Sequence, residues 1–515
     1  MKSIDVIVVG AGSAGCVVAA RLSEDPSCSV LLLEAGPDYP EDRLPADLLD
    51  GRHGPSTAGH DWGLTGTSGP AGRLLDLPRG RVTGGSSAVN ATFALRGAPA
   101  DYDAWAGLGN PGWAFADVLP SFRRLETDLD HPDADYHGST GPLPIRRYLG
   151  DARSPLAVAA TEAFADLGLP PVPDHNAPAA VGSGPLPVNA VGGRRVSTAL
   201  AYLGPARDRP NLSVRGETLV QDIVVRAGRA IGVRLHPSGE LVPAGEIIVC
   251  AGAYHSPGLL VRSGLGPSRQ VRSLGLDVVQ DLPGVGANLT DHPAVSVDRH
   301  VAGPVDDAPV FQLVATLHSS ASDPQRQAPD LQLIVGGPYL PSSAPAPAEY
   351  FVAAALLKPR SRGSVRTRRA DAAAAPEIDL GYFSHPADLP RLCEGVLLAH
   401  QAVGLGPLSA ISAEPPRPLP DAESLRRRIV SQAWTYHHPV GTCAMGADPD
   451  RGAVVDAEGR VHGVEALSVV DASIMPEIPS ANTNLPTIMI AEHVIARRGS
   501  APSTTAREAA VTSRR

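Results

Sequence analysis

Aromatic residues make up only 4% of this 515-residue chain, and its cysteines number five. Cys16, Cys28, Cys250, Cys393 and Cys443 are scattered, with no C-x-x-C spacing. An odd, unpatterned set excludes a disulfide framework and a thiolate zinc site, and it fits a reducing, cytoplasmic compartment. No His/Cys/Asp/Glu grouping has metal-ligand spacing, so no metal is expected. No apolar run approaches the length of a membrane span. The first apolar strand begins at Ile4, which leaves no room ahead of it for a signal peptide. A net charge of −10 supplies no basic footprint for nucleic acid or anionic lipid. What remains is ample: 43% apolar residues, enough chain for two or more domains or one large domain with insertions, and an excess of Ala, Pro, Gly and Arg. That bias runs the whole length and reflects base composition.

The most informative stretch is residues 4–36. Ile4 to Val9 is a short apolar, β-branched run of the kind buried in a parallel sheet. Gly10-Ala11-Gly12-Ser13-Ala14-Gly15 follows at once as a complete G-x-G-x-x-G. Ala14, Val17, Val18 and Leu22 then recur at helical spacing until Asp25-Pro26 stops the helix, and Ser29 to Leu33 forms a second strand ending in Glu34. In this setting Gly10 makes the tight turn, Gly12 lets the backbone approach a pyrophosphate, and Gly15 allows close helix–strand packing. The anion sits at the helix N-terminus, and Glu34 accepts the ribose hydroxyls. A second carboxylate-like charge beside Glu34 is disfavoured, which argues against a 2′-phosphate. NAD and FAD both remain open on this stretch.

Residues 37–76 read as long surface connections. Gly80-Arg81-Val82-Thr83-Gly84-Gly85-Ser86-Ser87-Ala88-Val89-Asn90 is a loop of free N–H groups and hydroxyls suited to a phosphate or a polar ring edge. Ala100 to Glu126 carries helical turns around Pro120, residues 155–167 form a helix, and 197–203 make a short helical return. Strands are expected at 212–215, 220–226, 230–235 and 247–250. The run from Gly252 to Gly266 reads as a glycine turn and a short helix with Pro257 in its first turn. Further strands fall at 310–317, 330–335 and 350–357, with helices at 387–405 and 421–431. Leu467 to Asp471 is a strand ending in an acid, and Asn482-Thr483-Asn484-Leu485-Pro486 opens a helix through Arg498. Ser500 to Arg515 has the composition of a disordered tail.

Taken together, these motifs resemble the glucose–methanol–choline (GMC) family of flavin-dependent alcohol oxidoreductases over nearly the whole length. The residues that carry the resemblance are Gly10–Gly15 with Glu34, GRVTGGSSAVN, GAYHSPGLLVRSGLG, LPGVGANLTDHP, HHPVGTCAMG and VVDASIMPEIPSANTNLPTIMIAE. The resemblance implies an α/β fold: a Rossmann-like FAD-binding domain of the glucose-oxidase type with an inserted α+β substrate domain. The boundaries drawn are 1–130, 191–293 and 431–499 for the FAD-binding domain, and 131–190 and 294–430 for the substrate domain. It further implies a cofactor-binding set of Gly10, Gly12, Ser13, Ala14, Gly15, Glu34, Ala35, Arg81, Gly84, Gly85, Ser86, Asn90, Ala91, Val220, Ala251, Gly252, Asp471, Ala472, Asn482 and Thr483. Thr83 stands where the family usually has an aliphatic residue. Val89 stands where some members carry a histidine bonded to the flavin, so the FAD is expected to be non-covalent. The stretch GNPGWAFADVLPSFRRLETD is also similar to mycofactocin-associated dehydrogenases within the family.

An alcohol gives up a hydride readily only as its O–H proton leaves, so a general base and an oxyanion partner must converge on the reacting carbon. The resemblance puts His438 in the base position and Asn482 in the partner position. His437 is the competing base; in an extended segment its side chain points to the face opposite His438. The helix that opens near Pro486 would direct its positive end at the flavin, and Asp471 would serve the pyrophosphate or ribitol region. His255, His292 and His462 are read as structural. Asp330, Gln332 and Tyr339 are candidates for the pocket wall. Few aromatics fall in 294–430, which weakens a cation–π cage for choline. The expected partners are a small-molecule alcohol and an electron acceptor (oxygen, quinone or respiratory carrier). The alternative is a hydroxynitrile-lyase-like or non-redox flavoprotein of the same fold. The alcohol, the acceptor and the oligomeric state stay open.

Overall fold

The first strand, β1 (Ile4–Val9), buries Val6, Ile7, Val8 and Val9 together, as a strand covered on both faces must. It leads through the glycine loop to α1 (Gly15–Leu22) and β2 (Val30–Leu33). After a long excursion come β3 (Gly182–Pro185), β4 (Leu212–Arg215), β5 (Leu219–Arg226), β6 (Arg229–His236), β7 (Leu241–Val249) and α2 (Gly252–Arg262). The second half contributes β8 (Pro293–His300), β9 (Phe311–Leu317), β10 (Leu331–Tyr339), β11 (Glu349–Leu356), α3 (Asp388–Gly404), β12 (Trp434–Thr435), β13 (Leu467–Val469) and α4 (Asn484–Ser500). These come from a computed structural model that describes residues 4–303, 307–340 and 347–500. Beyond Ser500 the expected tail lies outside the described residues.

Two sheets organise the chain. The first runs β4-β2-β1-β7-β6-β5, with β13 also paired to β7. Its β4-β2-β1-β7-β13 part is parallel, and β5-β6-β7 is an antiparallel meander. β7 serves both: its first residues pair with β6, and Ile247–Val249 lie between β1 and β13. The second sheet, β12-β8-β11-β10-β9-β3, is antiparallel throughout. α3 and the helix Pro155–Asp166 cover one of its faces in a core with Leu333, Val335, Val352 and Leu392. Its other face turns Val314, Ile334, Ala353 and Ala355 toward Phe93 and Ala481. The α/β architecture with a second, mixed layer is the one expected.

Local differences have physical reasons. Pro257 is not in the first turn of α2 but in its interior. A proline there cannot bond the carbonyl four residues back, Ala253 O. Thr442 Oγ1 donates to that carbonyl at 2.6 Å, so the free acceptor is satisfied from outside the helix. The return at 197–203 is a π-helical turn over Ala199–Leu203. Residues 37–76 are not all loop: Thr65–Thr67 and Leu74–Asp76 join Ser364–Arg366 and Glu377–Asp379 in a four-stranded sheet. Three-residue strands are too short for alternation to register in the sequence.

Candidate active site

A cavity of about 490 Å³ opens along the C-terminal ends of β1, β2 and β7 and continues to the second sheet. At its nucleotide end the three glycines of the loop behave differently. Gly10 has φ +98°, and a Cβ there would lie 2.6 Å from Cys250 O. A Cβ on Gly15 would lie 1.8 Å from Gly10 O. Gly12 is the exception: its nearest neighbour is the Cα of Gly85 at 3.9 Å, so the protein itself leaves room for a methyl group. That space opens into the cavity. Gly85, at φ +51°, faces Gly12 so closely that its own Cβ would lie 2.6 Å from Gly12 Cα. Gly84 N–H donates to Ala11 O at 2.7 Å, fastening the 80–90 loop over the glycine loop.

Glu34 sits at the end of β2 in the same cavity, accepting the N–H groups of Ala11 and Gly36, each at 2.8 Å. Burial pushes its carboxyl up to about 7, against the pull of those bonds and of Arg81. Asp471 is buried at the same, C-terminal end of the parallel strands, just beyond β13. Its Oδ2 accepts from Gly252 N–H at 2.8 Å and Ser256 Oγ at 2.6 Å, and its Oδ1 from Ser473 N–H at 2.8 Å. Burial raises its carboxyl too. Of the residues expected to bind cofactor, Gly10, Gly12, Ser13, Ala14, Glu34, Ala35, Gly85, Ser86, Asn90, Ala91, Val220, Ala251, Gly252, Asp471, Ala472, Asn482 and Thr483 line the cavity. Gly15, Gly84 and Arg81 do not: the two glycines shape the backbone behind it, and the exposed Arg81 lies over the Trp62 ring, 5.1 Å from its centroid.

His438 stands where the two sheets meet. Its Nδ1 is 3.0 Å from His292 Nδ1 and its Nε2 is 3.1 Å from Asn482 Nδ2. His438 N–H donates to Asp291 Oδ1 at 2.8 Å, and Asp291 Oδ2 accepts from Tyr382 at 2.9 Å and from Thr435. Thr435 Oγ1 in turn accepts His437 N–H at 2.9 Å, and Arg79 donates to His437 O at 2.8 Å. This brace bends the chain. His437 takes φ +65°, so the segment is not extended there and strict alternation fails. The expectation that His437 faces away is therefore corrected: both His437 and His438 line the cavity. Burial, with His292, Arg79 and His437 adding to it, holds His438 well below the usual histidine range. Burial lowers His437, His292 and His255 to about 3. The imidazoles are neutral, and the buried Asn482 Oδ1 has no partner among the described residues. A neutral base beside the Asn482 amide N–H can take an alcohol's proton while that N–H bonds the oxygen left behind.

A family model described as GMC oxidoreductase matches residues 4–294, and its C-terminal counterpart matches 359–491.

The chain belongs to the GMC oxidoreductase family.

It is 36% identical to 5-(hydroxymethyl)furfural oxidase of Methylovorus sp., across 95% of this chain and 97% of that one. Oxygen-dependent choline dehydrogenase of Brucella anthropi is 35% identical, across 96% of each. Among solved structures, pyridoxine 4-oxidase from Mesorbium loti superposes with a TM-score of 0.87 at 32% identity, covering 97% of this chain and 99% of that one. GMC oxidoreductases bind FAD, and the room beside Gly12, the Glu34 carboxylate and the open N-terminal end of α4, with Asn482, Thr483, Asn484 and Thr487 on the wall, fit that dinucleotide.

The GMC motifs do not reveal the far wall. Phe93, Phe311, Ile334, Phe351, Trp434 and Tyr436 line it. Only Phe311 and Phe351 of these aromatics come from 294–430, and the rest arrive from other segments. Ile334 is the wall residue of β10, not the expected three. Asp330 is tied to Ser319 and Arg391, Tyr339 Oη donates to Glu349 at 3.3 Å, and Gln332 Oε1 accepts the Tyr436 hydroxyl at 3.0 Å from behind. His462 bonds Gly446 O, away from the site, whereas His255 lines the cavity against Trp62. Asp291 lies in the LTDHP motif, but its role as the brace depends on a fold contact that no spacing displays. Among the described residues no group of three or more His, Cys, Asp and Glu is placed to hold a metal ion.

Proposed function

We propose that this chain oxidises a primary or secondary alcohol to an aldehyde or ketone, with His438 as general base and FAD held without a covalent bond. The single observation that carries the proposal is the 3.1 Å approach of Asn482 Nδ2 to His438 Nε2, both on the cavity wall. FAD supplies the two-electron oxidant that accepts the alcohol's hydride. Around it, the 10–15 loop and Gly85 would bind the pyrophosphate, Glu34 the adenosine ribose, and Asn90, Ala91, Asn482 and Thr483 the ring. The positive end of α4 favours negative charge at that ring. Val89 is buried against the cavity and offers no nitrogen for a covalent link, so the flavin should leave the acid-denatured chain.

The proton's path follows from the hydrogen bonds. Asn482 Nδ2 can only donate, so His438 Nε2 accepts and the neutral ring carries its proton on Nδ1. His292 Nδ1 then accepts, His438 Nδ1–H donates, and the lone pair of His438 Nε2 faces Asn482 and the substrate oxygen. Asn482 stabilises that oxygen as its proton departs. The wider division follows the same reading. Residues 1–130, 191–293 and 431–499 would hold FAD and residues 131–190 and 294–430 the substrate, although β12 adds to the second sheet. The stretch similar to mycofactocin-associated dehydrogenases buries Trp113, Val118, Phe122 and Leu125 in the core, away from the cavity. The acceptor is accordingly proposed on family chemistry: oxygen, a quinone or a respiratory carrier. Five free thiols favour a reducing, cytoplasmic setting, and no helix among the described residues is long and apolar enough to cross a membrane.

The test is anaerobic mixing of the yellow protein with a panel of alcohols. Bleaching of the flavin is expected. Cleavage of a cyanohydrin with the flavin still oxidised would favour the lyase reading instead.

A further inference from the structure

The chain holds seven phenylalanines, and three of them, Phe93, Phe311 and Phe351, meet on this one wall. Phe93 and Phe311 pack edge to face with centroids 5.0 Å apart, and Phe311 and Phe351 at 6.1 Å. Phe93 reaches Tyr436 at 6.4 Å, and Tyr436 lies 4.4 Å from the His438 ring. Tyr436's hydroxyl donates to Gln332 Oε1 at 3.0 Å and lies near Asn482, while its ring packs beside the base. Rings arranged edge to face leave faces and edges for one more ring. The aromatic surface comes within one ring contact of His438, so a ring held on it lies beside the base.

Charge decides against a cation. The acidic residues on the cavity wall are Glu34 and Asp471, each already accepting protein N–H or O–H bonds at the nucleotide end. Arg79 donates to His437 O and depresses both His437 and His438 by its charge. The carboxylate beside the base, Asp291, is off the cavity wall and already accepts from His438 N–H, Tyr382 and Thr435, so a quaternary ammonium would meet Arg79 and no free carboxylate.

Resting on the reading of this site as an alcohol-oxidising one, we infer that its substrates are neutral arylmethanols, a hydroxymethyl group borne directly on an aromatic ring. One C–H bond breaks with its electron pair passing to FAD, the O–H proton passes to His438 Nε2, and a C=O bond forms, giving the aryl aldehyde. Phe93, Phe311, Phe351 and Tyr436 are the residues that select the ring.

The experiment uses the FAD-loaded enzyme in two measurements. Anaerobic reduction is followed with benzyl alcohol, cyclohexylmethanol, 1-hexanol and choline. Binding without turnover is read from the flavin spectrum with acetophenone, cyclohexyl methyl ketone and tetramethylammonium, none of which carries an oxidisable hydroxyl. Benzyl alcohol should reduce the flavin with the highest kcat/KM. Acetophenone should bind roughly three- to tenfold more tightly than its cyclohexyl counterpart, and tetramethylammonium should leave the spectrum unchanged. Phe351→Leu and Phe311→Leu should each narrow that aryl-over-cyclohexyl gap. Choline or an aliphatic alcohol outpacing benzyl alcohol, or equal binding of the two ketones, would overturn the inference while leaving alcohol oxidation standing. Reduction by dithionite but by no alcohol would instead overturn the underlying reading.

Discussion

Replacing His438 by alanine removes the imidazole whose Nε2 meets Asn482 at 3.1 Å and whose Nδ1 meets His292 at 3.0 Å. A general base contributes roughly 10²–10⁴-fold, or about 2.7–5.4 kcal/mol of barrier at 1.36 kcal/mol per decade. The same change leaves His292 Nδ1 and Asn482 Nδ2 without that partner, an expected loss of about 1–3 kcal/mol of stability for each buried group. Rate and folding must therefore be separated, and single-turnover flavin reduction on FAD-saturated protein does this. The pH profile gives a second signature. Only the neutral imidazole accepts a proton, and His438 is held well below 6.5. The wild-type rate should thus be flat above about pH 6.5 and fall only in more acid solution. His438→Ala should lose that acid limb along with the rate. Asn482→Ala should slow the same step and keep the limb, and the double variant should be less impaired than the product of the two. His437→Asn keeps a residue that tolerates positive φ, and it should cost under about tenfold, short of what a base supplies. A near-wild-type rate for His438→Ala with the limb intact, or a hundredfold loss in His437→Asn, would transfer the role to His437.

FAD affinity should weaken as pH falls below 7, by at most about tenfold per unit, because ribose hydroxyls donate to ionised Glu34 and burial has raised its carboxyl to about 7. Titrating apoprotein with FAD checks this, and Glu34→Gln should abolish the dependence. Gly12→Ala should leave the thermal midpoint nearly unchanged yet weaken FAD binding, whereas Gly15→Ala, whose Cβ would lie 1.8 Å from Gly10 O, should destabilise the fold itself. Equal effects of the two on stability would refute that distinction. Thr442→Val strands the Ala253 carbonyl beneath Pro257 and should cost about 1–3 kcal/mol in chemical denaturation. Stability should also decline as pH falls from 6.5 toward 3. His255, His292 and His437 sit at about 3 in the fold and take up protons once unfolded.

Residues whose meaning is local were legible from sequence. The glycine loop, β1, β2 and the helix Pro155–Asp166, capped by Ser154 Oγ on Ala157 N–H, follow from spacing and turn chemistry within a few residues. So did the convergence of His438 and Asn482, because two motifs name them. What escaped depends on contacts across the chain. His437 departs from alternation because Asp291 and Thr435, joined through β8 and β12, pull its peptide around. The aromatic wall is gathered from residues 93, 311, 351, 434 and 436, and the composition of any single segment dilutes it. Pro257 reads from sequence as a first-turn proline because nothing nearby announces that a threonine 189 positions after Ala253 will satisfy the carbonyl it abandons.

The two ends of the cavity are made of different material. At the nucleotide end, Gly10, Gly12, Gly15 and Gly85 define the shape through backbone, where a single added carbon meets a main-chain atom or the ligand's own space. At the far end, Phe311, Ile334 and Phe351 project from β9, β10 and β11, whose ladders are main-chain bonds indifferent to which side chain stands on them. One end is thus fixed by geometry that tolerates almost no alteration, and the other can be rewritten residue by residue without unsettling the strands. A scaffold divided in this way can keep one oxidant and exchange its clientele. Libraries at positions 93, 311, 334 and 351 would be the place to look for that freedom.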